Sequence, residues 1–146
     1  MTDSRRKFLR QAAALLAGSA AAGVFLEGCA SGGPPVYRYA ASGNIIDLYL
    51  NWYPELYKTG GALELQLEGT ERSIIVVRTT IDVFTAVSPV CMHQGCKVQL
   101  KENLYKCPCH GSTYALDGAL LGGPSEKPLV SYRTEYRETT LRIFLA

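Results

Sequence analysis

Two short stretches of the chain, CMHQGC at residues 91–96 and CPCHGSTY at residues 107–114, hold both of its histidines and four of its five cysteines. In each stretch a cysteine is followed two or three residues later by a histidine, and the four are Cys91, His93, Cys107 and His110. Such spacing lets one tight loop present two side chains to one ion. Thiolates and imidazoles are ligands of iron and zinc. The sequence therefore predicts two loops that share one metal site.

Three kinds of chemistry could use these residues. A structural zinc ion takes two cysteines and two histidines, and cysteine–histidine catalysis needs one of each. A two-iron cluster can hold two cysteines on one iron and two histidines on the other. If the four residues above are ligands, Cys96 and Cys109 remain, one in each stretch, and can reach each other. In an oxidising compartment they should form a disulfide, for which a zinc finger has no use.

The first 29 residues have the layout of an export signal. The charged segment Ser4-Arg5-Arg6-Lys7-Phe8-Leu9 precedes the apolar run AAALLAGSAAAGVFL, and it closely resembles the twin-arginine signal. Residues 1–29 hold four of the 15 basic side chains and two of the 13 acidic ones, so the rest of the chain is balanced. The net charge of +2 thus belongs to the N-terminus, and no basic face for nucleic acid is expected.

The fate of this segment depends on its last residues. Leu26-Glu27-Gly28-Cys29 resembles a lipoprotein cleavage box, in which Cys29 would be lipidated and become the first mature residue. Alternatively the segment stays as a membrane anchor, although its apolar run is shorter than the ~20 residues that a spanning helix prefers. A third outcome is cleavage to a free soluble protein. The first two outcomes both place the protein at the outer face of a membrane.

The rest of the chain reads as strands between turns. Residues 30–61 are expected to form a linker and an N-terminal strand region, and residues 62–146 the main domain. Alternating or β-branched apolar runs predict strands, which are 62–69, 73–79, 82–88 and a closing hairpin of 129–136 and 139–146. Residues 45–61 favour strand and turn over helix because of Pro54. The expected fold is all-β, a small antiparallel sandwich or barrel.

The two quoted stretches closely resemble the cluster-binding loops of Rieske iron–sulfur proteins of the high-potential, disulfide-containing type. LDGALLGGPSEKPL at 116–129 resembles the segment that follows the second loop, including a Gly-Pro turn that covers the cluster. The resemblance implies one [2Fe-2S] cluster. It places Cys91 and Cys107 on one iron and His93 and His110 on the other. It also implies a disulfide between Cys96 and Cys109.

The resemblance assigns further roles beside the ligands. Ser112 and Tyr114 would donate hydrogen bonds to sulfur and raise the reduction potential, because such donors stabilise the added electron. His110 would contact quinol, so the histidine pair should lie at an exposed, mainly apolar tip. Gln94 stands where quinol-oxidising complexes often have leucine, on the surface that docks to the membrane subunit.

These features predict a one-electron carrier, the iron–sulfur subunit of a quinol-oxidising cytochrome bc-type complex. Its expected partners are a cytochrome b-type membrane subunit, a cytochrome c-type acceptor and quinol. The alternatives are the small subunit of an arsenite-oxidase-like molybdoenzyme, with a large molybdenum subunit as partner, and a free-standing anchored carrier. A structural zinc-binding module is a more distant reading. A Rieske-type oxygenase is disfavoured because the 146 residues leave no room for a catalytic iron domain.

Overall fold

The computed structural model describes residues 32–41 and 43–145. The proposed export signal and Cys29 lie outside the described residues. Two short 3₁₀ helices, Leu50–Trp52 and Pro54–Tyr57, accompany eleven strands in the part described. The strands are β1 Val36–Tyr39, β2 Ile45–Tyr49, β3 Ala62–Leu67, β4 Ser73–Arg78, β5 Phe84–Val87, β6 Gln99–Lys101, β7 Leu104–Lys106, β8 Thr113–Ala115, β9 Leu120–Gly122, β10 Ser131–Arg137 and β11 Thr140–Phe144.

Seven of these strands form one sheet in the order β1-β3-β4-β5-β10-β11-β2. Neighbouring strands are antiparallel except β1 and β3, which are parallel. The two edge strands approach each other, because the Tyr39 hydroxyl donates to the backbone oxygen of Asp47 at 3.2 Å and accepts its N–H at 3.3 Å. The sheet is therefore curled around a core. That core includes Ile46, Leu65 and Ile143, none of which has any exposed surface.

Strand β4 is buried on both faces and separates two cores. Ile74 and Val76 face the core inside the curled sheet, whereas Ile75 and Val77 belong to a second core. This explains the continuous β-branched run of the sequence, since successive strand residues point to opposite faces. The second core lies between the large sheet and the segment that carries the cysteine–histidine stretches.

That segment is inserted between β5 and β10 and contains a small antiparallel sheet in the order β6-β7-β8-β9. Tyr105 of β7 and Tyr114 of β8 are directly opposite each other, and neither has exposed surface. They pack in the second core with the two cysteines Cys91 and Cys107 and with Val87 of the large sheet. The segment thus rests on β4 and β5 through apolar contacts.

The predicted all-β architecture is confirmed, and the strands expected at 62–69, 73–79 and 82–88 correspond to β3, β4 and β5. The closing hairpin is present as β10 and β11. Residues 45–61 begin with strand β2 and continue as the two 3₁₀ helices, the second of which starts at Pro54. Strand β1 follows the glycine- and proline-rich linker and was not predicted in detail. The domain boundary at residue 62 stays a prediction, and β1 and β2 before it join the same sheet as β3.

Candidate metal centre

Loop 1, residues 91–96, is closed by two backbone hydrogen bonds. The N–H of Cys91 donates to the carbonyl of Cys96 at 2.8 Å, and the N–H of Gly95 donates back to the carbonyl of Cys91 at 2.9 Å. Gly95 has a φ of 77°, a left-handed conformation that favours glycine. The result is a tight turn that carries the Cys91 and His93 side chains.

Loop 2, residues 107–112, repeats this scheme at the same spacing. The N–H of Cys107 donates to the carbonyl of Ser112 at 2.8 Å, and the N–H of Gly111 donates to the carbonyl of Cys107 at 3.0 Å. Gly111 has a φ of 79°, close to that of its counterpart in loop 1. The two loops therefore present their cysteine and histidine from one shared backbone shape.

A disulfide between Cys96 and Cys109 joins the two loops, as predicted. The S–S distance is 2.03 Å, and the Cα atoms are 6.5 Å apart. Cys91 and Cys107 are the free cysteines of the described chain, and both are buried. The Cys107 sulfur lies within 4.8 Å of both disulfide sulfurs. This trio is not a metal site, because sulfurs already joined to each other offer no thiolate.

The two histidines, one in each loop, lie against each other. The ring centroids of His93 and His110 are 4.8 Å apart and the rings are nearly perpendicular, at 86°. The Nδ1 atom of His93 is buried and has no hydrogen-bond partner among the residues that the structure describes. Because a buried polar atom is costly without a partner, this nitrogen fits a metal ligand. Two buried thiols and two adjacent imidazoles suit an iron–sulfur group with mixed ligands.

The environment of Cys91 favours its thiolate. Burial raises the pKa of this thiol, but hydrogen bonds from the Tyr114 hydroxyl and the His93 backbone lower it. Hydrogen bonds from the side chains of Cys107 and Ser112 act in the same direction, and the net pKa lies below the ordinary value. Because a cysteine binds metal as the thiolate, the site is prepared for a metal at this residue.

Tyr114 is the donor that contacts the Cys91 sulfur, with 3.2 Å between its hydroxyl oxygen and Sγ. Burial and the hydrogen bond to Cys91 both raise the pKa of Tyr114, so its proton stays on oxygen and the O–H donates. Ser112 is also fully buried, and its Oγ accepts the backbone N–H of Ser125 at 3.1 Å. This acceptor role leaves the Ser112 O–H to donate towards sulfur.

A cover for loop 2 comes from the Gly-Pro turn that the sequence indicated. Gly123 has a φ of 96°, and a Cβ at this position would lie 2.5 Å from Cα and 2.9 Å from N of Ser112. A glycine is therefore required for the backbone of the turn to lie directly on loop 2. The contribution of Ser125 was missed by the sequence analysis, because a backbone donor leaves no mark on residue type.

The exposure of the two histidines differs. His110 is exposed, whereas His93 is half-buried. Met92 in loop 1 is 37% exposed, and Gln94 is exposed as well. His110 thus has the surface position expected of a histidine that meets another molecule, and His93 has it only in part.

The fold and the site together define a class: an all-β domain with paired cysteine–histidine loops, joined by a disulfide, of the kind suited to a two-iron cluster. A family model, the Rieske [2Fe-2S] domain, matches residues 52–133, more than half of the chain. The chain belongs to the Rieske [2Fe-2S] domain family. Its cofactor is therefore a [2Fe-2S] cluster, and the domain is an electron-transfer domain because such a cluster exchanges single electrons.

Similar curated proteins are iron–sulfur subunits of the cytochrome b6-f complex. The protein from Chlorobaculum thiosulfatiphilum is 45% identical over 65 residues, which are 43% of this chain and 35% of the relative. Subunit 1 from Nostoc sp. (strain PCC 7120 / SAG 25.82 / UTEX 2576) is 34% identical over 86 residues, 57% of this chain and 48% of the relative. The chain thus matches less than half the length of these relatives.

Solved structures of a monooxygenase and a dioxygenase share the fold. A quaternary ammonium Rieske monooxygenase in its apo form is 23% identical with a TM-score of 0.53, covering 64% of this chain and 31% of the other. A naphthalene 1,2-dioxygenase mutant is 20% identical with a TM-score of 0.53, covering 70% of this chain and 26% of the other. At this identity the likeness concerns the fold alone.

Proposed function

We propose that this chain is the electron-transfer subunit of a quinol-oxidising cytochrome bc-type complex, with Cys91, Cys107, His93 and His110 as the ligands of its cluster. The observation that carries the proposal is the adjacency of the two histidine rings, at 4.8 Å, in disulfide-linked loops that each also carry a buried free thiol. When bound, the cluster takes up and releases one electron. The residues of the chain would bind the cluster, adjust its reduction potential and leave one side of it exposed.

His110 is the proposed contact for quinol, because its ring is exposed whereas that of His93 is half-buried. An imidazole is a group that exchanges a proton near neutral pH, which suits a donor that gives up protons together with electrons. Tyr114 and Ser112 direct hydroxyl donors at the ligand side of the site. We infer that they hold the reduction potential high, since donors to sulfur stabilise the reduced state.

The relatives and the N-terminal sequence support the proposed partners and location. Because the similar proteins are subunits of the cytochrome b6-f complex, we expect a cytochrome b-type membrane subunit and a cytochrome c-type acceptor. Twin-arginine export would place the domain on the outer face of the cytoplasmic membrane, held by an anchor segment or by a lipid on Cys29. Within the part of the chain that the structure describes, no helix is long and apolar enough to cross a membrane.

Gln94 favours a second candidate. This amide is exposed in loop 1, next to His93, where it makes the proposed docking surface more polar than a leucine would. The candidate is the small subunit of an arsenite-oxidase-like molybdoenzyme or a free-standing anchored carrier. Both would use the same cluster and differ only in what docks against loop 1 and loop 2.

Gentle purification from the native membrane tests the proposal directly. The purified material is expected to contain two irons per chain, to give an electron paramagnetic resonance signal after reduction and to bring a b-type cytochrome with it. The matched control is the Cys107→Ser chain, which should lack the signal. A large molybdenum subunit in place of the cytochrome would support the second candidate. A colourless, zinc-loaded protein without a signal would overturn both.

A further inference from the structure

Glu64 is a carboxylate in an apolar place. It lies in β3, where Leu63 and Leu65 face the core of the curled sheet, and its own side chain points to the other face. On the neighbouring strand β4 it lies opposite Ile75, a member of the second core. Glu64 is only 4% exposed. A charge so buried is costly unless it is paired, so a carboxylate beneath the inserted segment is expected to have a partner of opposite charge.

The partner of Glu64 is Lys97, with 2.7 Å between Nζ and Oε1. The Lys97 side chain is 60% exposed, whereas that of Glu64 is 5% exposed. Lys97 directly follows the disulfide residue Cys96 and pairs with Val90 in a β-bridge just before loop 1. The ion pair therefore holds the residue that follows loop 1, and the β-bridge joins this residue to the one that precedes loop 1.

This ion pair has no counterpart at loop 2. The other ion pairs found among the described residues, Arg133–Glu135 and Arg142–Asp47, lie within the large sheet. After Ser112 the chain enters β8, which is held by pairing with β7 and β9. Glu64–Lys97 is thus the charged link between the large sheet and loop 1.

We propose that Glu64 is a positioning residue for loop 1 and that the Glu64–Lys97 pair sets part of the electrostatic potential at the cluster. The mechanical route runs from Lys97 to the neighbouring Cys96, whose carbonyl accepts the N–H of Cys91 at 2.8 Å. Holding Lys97 therefore holds the backbone of the Cys91 ligand. The electrostatic part rests on the proposed function of the site, whereas the mechanical part does not require the cluster.

The electrostatic part of the proposal predicts the direction in which each variant shifts the reduction potential, which a purely structural role would not. Reduction adds a negative charge, so a nearby carboxylate opposes it and a nearby ammonium favours it. Removing the Glu64 charge in Glu64→Gln should raise the reduction potential. Removing the Lys97 charge in Lys97→Gln should lower it, because the ammonium that favours the added electron is lost. The double variant should lie between the two single variants.

The experiment compares these three variants with Lys101→Gln in the full chain. Lys101 lines the same cavity as Glu64 and Lys97, so its variant measures the effect of removing a nearby lysine that is not paired with Glu64. Redox titration followed by electron paramagnetic resonance gives the potential, after iron content has established that the cluster is present. Shifts of opposite sign that exceed that of Lys101→Gln support the electrostatic part. Shifts of the same sign, or no larger than the control, overturn it.

Hydrogen exchange tests the mechanical part with or without the cluster. In Glu64→Gln the amide of Cys91 should exchange about tenfold faster, corresponding to roughly 1.4 kcal/mol, while the amide of Cys107 in loop 2 is unchanged. Equal exchange at Cys91 in the variant and the wild type would refute the positioning role. A protein that holds no cluster would refute the proposed function and still yield this result.

Discussion

Loop 1 and loop 2 have the same backbone and different surroundings. Each is closed by the same two hydrogen bonds and carries a glycine with φ near 80° at its fifth position. Loop 1 receives the Tyr114 hydroxyl on its cysteine and is tied to the large sheet through Lys97. Loop 2 is covered by the Gly123 turn and leaves its histidine exposed.

The shared backbone shape presents the ligands of both loops, whereas contacts from elsewhere in the chain make the surroundings of the two loops different. The Tyr114 hydrogen bond to Cys91 and the Glu64–Lys97 ion pair distinguish loop 1, whose cysteine is hydrogen-bonded and whose end is tied to the large sheet. Exposure of His110 makes loop 2 the side that can meet another molecule. If this division is correct, changes to the shared backbone should affect both loops equally, and changes to the neighbours should affect one.

The largest effect is expected for Gly123→Ala. A Cβ here would approach the Ser112 backbone to 2.5 Å, and the φ of 96° adds the penalty of a left-handed conformation. Together these should lower the free energy of unfolding by about 2 to 5 kcal/mol and disturb loop 2. Denaturant unfolding of the cluster-loaded protein measures this loss, and the visible spectrum reports cluster retention.

The matched controls are Gly95→Ala and Gly111→Ala, at which a Cβ would meet no atom within 4 Å. Each should cost only the conformational penalty, about 1 to 2 kcal/mol, and the two costs should be similar. A clear difference between them would break the equivalence of the loop backbones. A cost for Gly123→Ala no larger than for its controls would mean that the turn does not press on Ser112.

The next effect concerns the link between the loops. Cys96→Ser or Cys109→Ser opens a disulfide with a sequence separation of 13, which should cost about 3 kcal/mol. Because the bond joins both loops, either replacement should shorten the time for a chelator to remove iron by the same factor. Loss of the cluster followed by absorbance is the measurement. Finding both thiols free by mass spectrometry of the oxidised wild type would contradict the assignment.

The sequence was sufficient for the two loops and the disulfide because these depend on local spacing and on a specific motif. The alternation of ALELQLEG and the β-branched run of β4 likewise predicted their strands. What the sequence could not predict depends on contacts between distant residues. Glu64 reads as the polar position of an alternating strand, and only the packing of the inserted segment buries it next to Lys97. Ser125 contributes through a backbone N–H, which any residue other than proline could supply.

A smaller effect should separate the two buried tyrosines that lie opposite each other in β7 and β8. Tyr114→Phe removes the donor to Cys91, and Ser112→Ala removes a second donor, so each should lower the reduction potential with the cluster intact. A hydrogen bond that is stronger by about 1 kcal/mol in the reduced state accounts for about 40 mV in a one-electron couple. Redox titration of the purified variants checks the direction and the size.

Tyr105→Phe is the matched control. Tyr105 has no exposed surface, and its buried hydroxyl has no hydrogen-bond partner in the described part of the chain. Removing this hydroxyl should leave the potential unchanged and the free energy of unfolding equal or higher, because no hydrogen bond is lost. A shift as large as that of Tyr114→Phe would show that loss of a buried hydroxyl changes the potential without loss of a hydrogen bond to sulfur.

The smallest effect belongs to a charge pair of the large sheet. The Arg142 guanidinium donates to both Asp47 carboxylate oxygens, at 2.7 and 2.9 Å, and this hydrogen bonding lowers the pKa of Asp47. A lowered pKa stabilises the fold above the unfolded-state value of about 3.9, and the contribution is lost as pH falls through the lower folded-state pKa. Wild type and Asp47→Asn should therefore differ in free energy of unfolding at pH 6, and the difference should shrink below pH 4.

Both members of this pair are partly exposed, at 47% for Arg142 and 31% for Asp47, so salt should weaken the difference further. The pair lies on β2 and β11, whereas the inserted segment packs on β4 and β5. Asp47→Asn should thus leave the reduction potential and the chelator resistance of both loops at wild-type values. If Asp47→Asn moved the potential as much as Glu64→Gln does, the effect of Glu64 could not be attributed to its position near loop 1. The two loops would then differ only in their hydrogen bonds and in the exposure of their histidines.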